Sequence, residues 1–242
     1  MIAVGSVRSG GATTLALALA ACTERAVLVE ADADGGVLAL RYGLSREPGL
    51  LSLAATRQPA GDALLEHAQR LPGGLAVVVA PESPEQSTRL LRSAGSRLAT
   101  VLGGAGDTPI VVDAGRLSPS SPALGVIEAA ATVLVVVRPR ADELVAGAER
   151  VAALGERAAL VLVGSGPYSA NDVAAQLGCP VIGTVADDPR AARSLAEGGS
   201  ASALTRSALV RSVRTLATAL AGATGRPGAP VAGTHERSGV PA

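Results

Sequence analysis

The chain has 242 residues, with 21 basic and 21 acidic side chains, so its formal net charge is zero. All 21 basic residues are arginine, and the chain has no Lys, no Phe, no Trp and only two Tyr. This composition excludes a nucleic-acid binder that depends on aromatic stacking, a broadly basic polyanion binder, and any chemistry that needs a lysine. A hydrophobic fraction of 48% with 17% charged residues is typical of a globular chain. Its core must therefore be built from Ala, Val and Leu.

Short apolar runs alternate with helical stretches along the whole chain. The runs are nearly continuous, as in strands that are buried on both faces. The predicted strands are Ile2–Gly5, Ala26–Glu30, Leu75–Ala80, Ile110–Asp113, Thr132–Val137, Ala159–Val163 and Val181–Val185. The predicted helices are Thr13–Thr23, Ala60–Arg70, Pro84–Leu102, Asp142–Leu154, Ala170–Leu177, Pro189–Glu197 and Ser207–Ala221. The alternation predicts an α/β fold: a single doubly wound, mostly parallel sheet of about seven strands with helices on both faces.

The two ends of the chain leave alternatives open. Residues 1–222 are predicted to form the domain, and Ala223–Ala242, rich in Gly, Pro and Thr, a disordered tail. The predicted last helix, Ser207–Ala221, has one apolar face and interspersed arginines, so it either packs on the sheet, which we favour, or lies on a membrane. Leu19–Cys22 resembles a lipoprotein cleavage box, which makes an exported lipoprotein anchored at Cys22 an alternative to a cytoplasmic protein. No apolar run approaches the ~20 residues of a membrane span.

A glycine-rich turn follows the first predicted strand. The chain runs from Gly5 through Gly10-Gly11-Ala12-Thr13-Thr14 into an apolar helix. A strand, a glycine-rich turn and a helix together present backbone N–H groups to a phosphate, and a Thr hydroxyl at the helix start is suited to bind Mg²⁺. The turn therefore predicts a phosphate site.

Acidic residues follow two other predicted strands. Glu30, Asp32 and Asp34 lie at alternate positions where the second strand ends, and Asp113 ends the fourth. Ligands of open α/β sheets bind outside the carboxyl ends of the strands. Carboxylates at that edge are typical of a metal site beside a nucleotide. Glu30 has an alternative role, in which it accepts hydrogen bonds from loop amides.

The order of these motifs resembles that of the MinD/ParA family of deviant-Walker P-loop ATPases over most of residues 1–221. The resemblance rests on Gly11-Ala12-Thr13-Thr14, the acidic turn Glu30–Gly36, Asp113, the strand Val133–Val137 with Arg138-Pro139, and the late segment Gly178–Pro189. It implies a P-loop NTPase-like fold that binds ATP and Mg²⁺. Since no Cys/His cluster has zinc spacing, neither zinc nor haem is expected.

The resemblance also assigns roles to individual positions. The loop Ser9, Gly10, Gly11, Ala12, Thr13 and Thr14 would embrace the phosphates, and Thr13 would bind Mg²⁺. Asp113 would bind the metal through water. Asp32 would position the attacking water and is a further candidate metal ligand. The purine pocket would come from the loops Gly164–Tyr168 and Ala186–Pro189.

The loop departs from the family's pattern at two positions. The family has one lysine after the last glycine and a second near the start of the loop, where this chain has Ala12 and Val7. Losing one donor that stabilises transition-state charge typically costs about a hundredfold in rate. Arg8 is either a replacement phosphate ligand or an exposed loop arginine. We therefore expect slow or absent ATP hydrolysis.

The resemblance implies an ATP-binding regulatory or positioning protein, in partitioning, division-site selection or pilus and flagellum placement. A nucleotide-free pseudo-ATPase that serves as an interaction scaffold is the alternative. A homodimer and an unknown protein partner are both compatible with the sequence, and no direct sequence-specific nucleic-acid binding is expected.

Overall fold

The computed structural model describes residues 1–8, 11–57 and 60–224, and its centre is one eight-stranded sheet. The strand order is β3-β4-β2-β5-β1-β6-β7-β8, and every neighbouring pair is parallel except β3 with β4. The strands are β1 (Ile2–Ser6), β2 (Val27–Glu30), β3 (Gln69–Arg70), β4 (Ala76–Val78), β5 (Ile110–Arg116), β6 (Thr132–Val137), β7 (Ala158–Val163) and β8 (Val181–Val185). The predicted doubly wound parallel sheet is confirmed, with all seven predicted strands in place.

The eighth strand was not predicted. Gln69 and Arg70 were assigned to a helix over Ala60–Arg70, but the helix ends at Glu66 and the two residues pair antiparallel with β4. The following Gly73 and Gly74 have φ values of 92° and 88°, which turn the chain back as a hairpin. The hairpin turn therefore determines the structure of Gln69 and Arg70, although the sequence pattern before them is helical.

Helices cover both faces of the sheet. They are α1 (Ala12–Cys22), α2 (Leu38–Tyr42), α3 (Leu50–Ala55), α4 (Ala60–Glu66), α5 (Pro84–Gly103), α6 (Leu124–Ile127), α7 (Ala141–Leu154), α8 (Ala170–Leu177), α9 (Pro189–Ala196) and α10 (Ala208–Thr224), with 3-10 turns at Gly155–Arg157 and Ala201–Leu204. One aliphatic core lies under α3 to α8, and the other lies under α1, α2, α9 and α10. The short helices α2, α3 and α6 were not predicted, because one or two turns show little periodicity.

Capping residues mark where the longer helices begin. Ser83, Ser169 and Asp188 each accept a hydrogen bond from a first-turn amide of α5, α8 and α9. Pro84 and Pro189 occupy the first turns of α5 and α9, where the missing N–H costs nothing. These starts agree with the predicted ones.

The last helix packs on the sheet through its apolar face. Leu209, Val210, Val213, Leu216 and Leu220 are at most 9% exposed, and α10 contacts α1 and β8. The packing interpretation is therefore confirmed, since protein covers the face that a membrane would need. In the described ranges no helix is long and apolar enough to cross a membrane.

The position of β1 bears on the lipoprotein alternative. β1 lies in the middle of the sheet, paired with β5 on one side and β6 on the other. Cleavage before Cys22 would remove β1 and all but the last residue of α1. The observed fold therefore requires the segment that a lipoprotein signal would lose. The predicted tail falls almost wholly in residues 225–242, outside the described part of the chain.

Candidate functional site

The phosphate loop connects β1 to α1 at the carboxyl edge of the sheet. Gly11 precedes α1 with φ 83° and ψ 31°, a left-handed conformation that favours glycine, and its carbonyl accepts the Leu15 N–H at 2.9 Å. Within the described ranges, no side chain caps α1 and its first turn has no acidic residue. The first-turn amides of α1 thus remain available to an anion. Ser9 and Gly10, both predicted phosphate ligands, lie outside the described residues.

Ala12, Thr13 and Thr14 form the first turn of α1, as the predicted phosphate loop requires. All three line a cleft of about 290 Å³, together with Gly11 and Arg8. Ala12 is only 5% exposed, whereas the two threonines are partly exposed. The neutral Ala12 side chain supplies no charge at the position where the resemblance expects a lysine.

Glu30 binds backbone N–H groups at the carboxyl edge of the sheet and does not line the cleft. It is 1% exposed, and its Oε1 accepts the Val37 and Leu38 N–H groups at 2.6 and 3.0 Å. Its Oε2 accepts the Ala80 N–H at 3.0 Å. Burial raises the pKa of Glu30, and these three hydrogen bonds oppose the shift. Of the two roles left open for Glu30, the structure shows the one in which it accepts hydrogen bonds from loop amides, and the carboxylate connects the start of α2 to the segment that follows β4.

Asp113 is a second fully buried acid at this edge of the sheet. It lies opposite Glu30 across β2 and β5 and is 1% exposed. Its Oδ1 accepts the Gly115 N–H at 3.1 Å, while its Oδ2 has no hydrogen-bond partner among the described residues. Burial raises the pKa of Asp113 to about 7, although the Thr13 hydroxyl and the Gly115 N–H lower it.

A buried carboxylate oxygen without a partner indicates that another group belongs beside it. Asp113 and the neighbouring Thr13 hydroxyl are both oxygen ligands, which suit Mg²⁺. Within the described part of the chain, no group of three or more His, Cys, Asp or Glu side chains is placed to hold a metal ion. Mg²⁺ usually keeps waters and takes only one or two carboxylates together with substrate phosphates. The residues therefore fit a magnesium ion that arrives with a phosphate ligand.

Asp32 reaches the cleft at the end of β2, where its position depends on Gly115. Gly115 has φ 59°, and a Cβ there would overlap the Asp32 carboxylate. The Asp32 Oδ1 accepts the Asp34 N–H at 2.9 Å, and Ser87 at the start of α5 donates its hydroxyl to the Asp32 carbonyl at 2.6 Å. Burial raises the pKa of Asp32, while the positive charge of Arg116 lowers it. The negative charge of Asp32 in turn adds to the upward shift of the Asp113 pKa, so the two carboxylates lie near each other.

Two further arginines line the cleft that holds Thr13 and Asp32. Arg41 comes from α2 and Arg116 from the end of β5, and they join the exposed Arg8. Sequence reasoning missed both, because α2 was not predicted and Arg116 follows the acidic motif as an ordinary turn residue. The only signal was the composition, in which arginine carries the whole positive charge.

The loops assigned to a purine pocket are joined to one another. The Arg138 Nη1 is 2.6 Å from the Asp187 Oδ2, and Gly164 lies close against the Asp187 side chain. Neither Gly164–Tyr168 nor Ala186–Pro189 lines the 290 Å³ cleft. The assignment of the purine pocket to these loops stays a prediction. A second cavity, of about 490 Å³, lies at the amino edge of the sheet near Arg25 and Arg70 and contains none of the predicted site residues.

Solved structures share this architecture over almost their whole length. The cell division ATPase MinD of Pyrococcus furiosus is 20% identical with a TM-score of 0.74, covering 92% of this chain and 98% of its own. MinD of Pyrococcus horikoshii OT3, solved with Mg-ADP, is 18% identical with a TM-score of 0.73, covering 93% and 98%. A ParA family ATPase of Chlorobium tepidum TLS is 17% identical with a TM-score of 0.73, covering 90% and 96%.

The chain has the fold of the MinD and ParA ATPases. No family model matches the sequence, and a search of curated proteins finds no match. The likeness is therefore carried by the three-dimensional structure, and identities of 20% or less establish the fold alone. Within this MinD/ParA fold, Thr13, Asp32 and Asp113 meet at the phosphate loop.

Proposed function

We propose that the chain binds a nucleoside triphosphate with Mg²⁺ at the phosphate loop and acts as a regulatory or positioning protein with slow or absent hydrolysis. The observation that carries the proposal is the Asp113 Oδ2, which is buried beside Thr13 at the start of α1 and has no hydrogen-bond partner among the described residues. The Mg-ADP complex of the Pyrococcus horikoshii relative supports a nucleotide with Mg²⁺ as the ligand class.

The residues at the loop have distinct roles in this proposal. The amides of Gly11 to Thr14 bind phosphate oxygens, together with Ser9 and Gly10 of the same loop, and Thr13 with Asp113 holds Mg²⁺, Asp113 through water. When bound, Mg²⁺ neutralises phosphate charge. Asp32 accepts a hydrogen bond from the water that attacks the terminal phosphate and is a candidate second carboxylate for the metal. These roles account for the meeting of the carboxyl ends of β1, β2 and β5 at one cleft.

The loop explains why hydrolysis is expected to be slow. Ala12 and Val7 are uncharged, so no lysine stabilises the charge that develops on the transferred phosphoryl group. Nucleotide affinity depends less on that lysine than hydrolysis does, because backbone amides and Mg²⁺ still bind the phosphates. The same absence supports the second candidate function, a nucleotide-free scaffold with this fold that binds a protein partner. A homodimer and a protein partner belong to both proposals.

A thermal-shift experiment separates the two candidates. A ligand at a hundred times its dissociation constant stabilises the folded state by about 2.7 kcal/mol. We expect millimolar ATP with Mg²⁺ to raise the melting temperature of the purified protein, and GTP and adenosine serve as comparisons. An unchanged melting temperature would favour the scaffold.

Hydrolysis is tested by phosphate release over hours. We expect Asp32→Ala to keep the ATP-induced thermal shift while abolishing the residual turnover, and equal turnover in the variant would contradict the role of Asp32. Ala12→Lys restores a cation at the start of α1, and we expect it to increase the affinity for ATP. An unchanged affinity would contradict the assignment of Ala12 to the family's lysine position.

A further inference from the structure

The cleft at the phosphate loop carries more positive charge than the loop sequence suggests. Arg8, Arg41 and Arg116 line it, whereas Asp32 and Asp34 are the only acidic residues that do so in the described part of the chain. Four other arginines form ion pairs, Arg46 with Glu82, Arg89 with Glu85, Arg138 with Asp187 and Arg140 with Asp142.

The three cleft arginines differ from those four in having no such partner. No carboxylate of the described ranges lies within 4.0 Å of the Arg8, Arg41 or Arg116 guanidinium nitrogens. An arginine that lines a concave site beside open helix amides and forms no ion pair is suited to an anionic ligand. The positive charge of these three arginines is not paired with a described carboxylate, so it is available to a phosphate group.

Arg41 is distinguished from the other two by burial and by attachment. Arg8 and Arg116 are exposed, whereas Arg41 is half-buried. Arg116 acts on Asp32, whose carboxylate its positive charge stabilises. Arg41 lines the cleft together with Thr13 at the start of α1 and Ala196 at the end of α9.

The helix that carries Arg41 is fastened at both ends. At its start, the buried Glu30 accepts the N–H groups of Val37 and Leu38. At its end, the Tyr42 hydroxyl lies 3.0 Å from the Leu195 carbonyl and 3.1 Å from the Gly199 carbonyl, which joins α2 to the end of α9. The chain has only two tyrosines and no Phe or Trp, and one of the tyrosines connects α2 to α9.

The backbone beside Arg41 is equally constrained. Gly198, with φ 88°, lies so close to the Arg41 carbonyl oxygen that a Cβ would be 2.7 Å from it. A five-residue helix is not stable by itself in water, so these contacts hold α2 in place. The position from which the Arg41 side chain extends is therefore fixed before a ligand binds, and only the side chain itself remains to be ordered.

We propose that Arg41 binds the terminal phosphates of the nucleotide from the α2 side of the cleft and supplies the positive charge that the lysine-free loop lacks. The inference rests on the proposed function. The planar guanidinium donates two parallel hydrogen bonds to phosphate oxygens, a geometry that an ammonium group does not offer. Arg41 comes from an element outside the loop, so its contribution is invisible in the loop sequence.

Calorimetric titration of the full chain tests the proposal, with ATP–Mg²⁺ and inorganic tripolyphosphate as the two probes. We expect Arg41→Ala to weaken ATP binding by about tenfold to a hundredfold, as for the loss of a hydrogen bond to a charged group. The tripolyphosphate affinity should fall by the same factor, because Arg41 contacts phosphate and not the base. Arg41→Lys should recover only part of the loss. Arg89→Ala, which removes an exposed arginine of α5, is the control and should bind like the wild type.

The outcomes separate this inference from the function on which it rests. If the wild type binds ATP and Arg41→Ala binds it equally well, the role of Arg41 is wrong and the nucleotide site stands. If the wild type binds neither probe, both proposals fail. Circular dichroism melting checks the fold of each variant. Should Arg41→Ala not fold, Arg41→Gln, which keeps most of the aliphatic stem, is titrated in its place with the same expected loss.

Discussion

Replacing Asp113 by Asn should stabilise the ligand-free protein, and the gain should increase with pH. The folded-state pKa of Asp113 is about 7, against an ordinary value of 3.8. Between these two values the folded protein keeps a proton that the unfolded chain has released, so the free energy of unfolding falls as the pH rises. A difference of about three pKa units corresponds to about 4 kcal/mol. Asn has nearly the same shape, carries no charge and keeps an oxygen for the Gly115 N–H.

Urea denaturation of both proteins from pH 4.5 to 8.5, without nucleotide or Mg²⁺, gives this difference directly. We expect Asp113→Asn to be the more stable protein by about 1 kcal/mol near pH 4.5 and by about 4 kcal/mol near pH 8. The other acidic groups titrate in both proteins, so their contributions cancel in the difference between the two free energies of unfolding. Asp107→Asn, at an exposed turn, is the control and should show no such divergence. A constant difference across the range would refute the account of Asp113 as a buried acid that keeps its proton in the folded protein near neutral pH.

Three substitutions test how the site is held together. Gly115→Ala should lower the free energy of unfolding by about 2 kcal/mol more than the control Gly74→Ala. Both glycines have positive φ, but only at Gly115 would the new Cβ overlap another group, the Asp32 carboxylate. Equal losses in urea denaturation would contradict this. Glu30→Ala should cost about 3 kcal/mol or more, since two buried N–H groups and one partly buried N–H group lose their acceptor. Glu30→Gln should cost less, and equal melting temperatures for the two variants would argue against the hydrogen-bond account. Tyr42→Phe should cost about 1 kcal/mol and weaken ATP binding in calorimetry, because α2 loses its attachment to α9; unchanged affinity would show that this attachment does not support the site.

The sheet and the acids at its carboxyl edge were predictable because the signals are local. The buried strands contain continuous apolar runs. Asp32 lies two residues beyond the end of β2, and Asp113 follows the apolar residues that begin β5, although β5 continues to Arg116. Parallel pairing then brings their ends to one edge, as the opposition of Glu30 and Asp113 shows. For Glu30 the sequence left two roles open, and the structure shows the one in which it accepts hydrogen bonds from loop amides.

The contacts that complete the cleft were not predictable from the sequence. α2 has five residues and depends on Glu30 and Tyr42, whose partners are distant in sequence. No local pattern therefore marks Arg41 as a cleft residue. β3 was missed for a similar reason, because two residues form a strand only where a hairpin brings them to β4. Sequence reasoning identifies the acids of the site more readily than its cations, which come from less regular segments.

Nucleotide binding by a phosphate loop without lysine is tested most directly by calorimetric titration of the wild-type protein with ATP, in the presence and absence of Mg²⁺. The proposed function predicts saturable heat with one nucleotide per chain and a higher affinity when Mg²⁺ is present, because Thr13 and Asp113 then gain their metal. Millimolar ATP that produces no binding heat under either condition, at two temperatures, would contradict it.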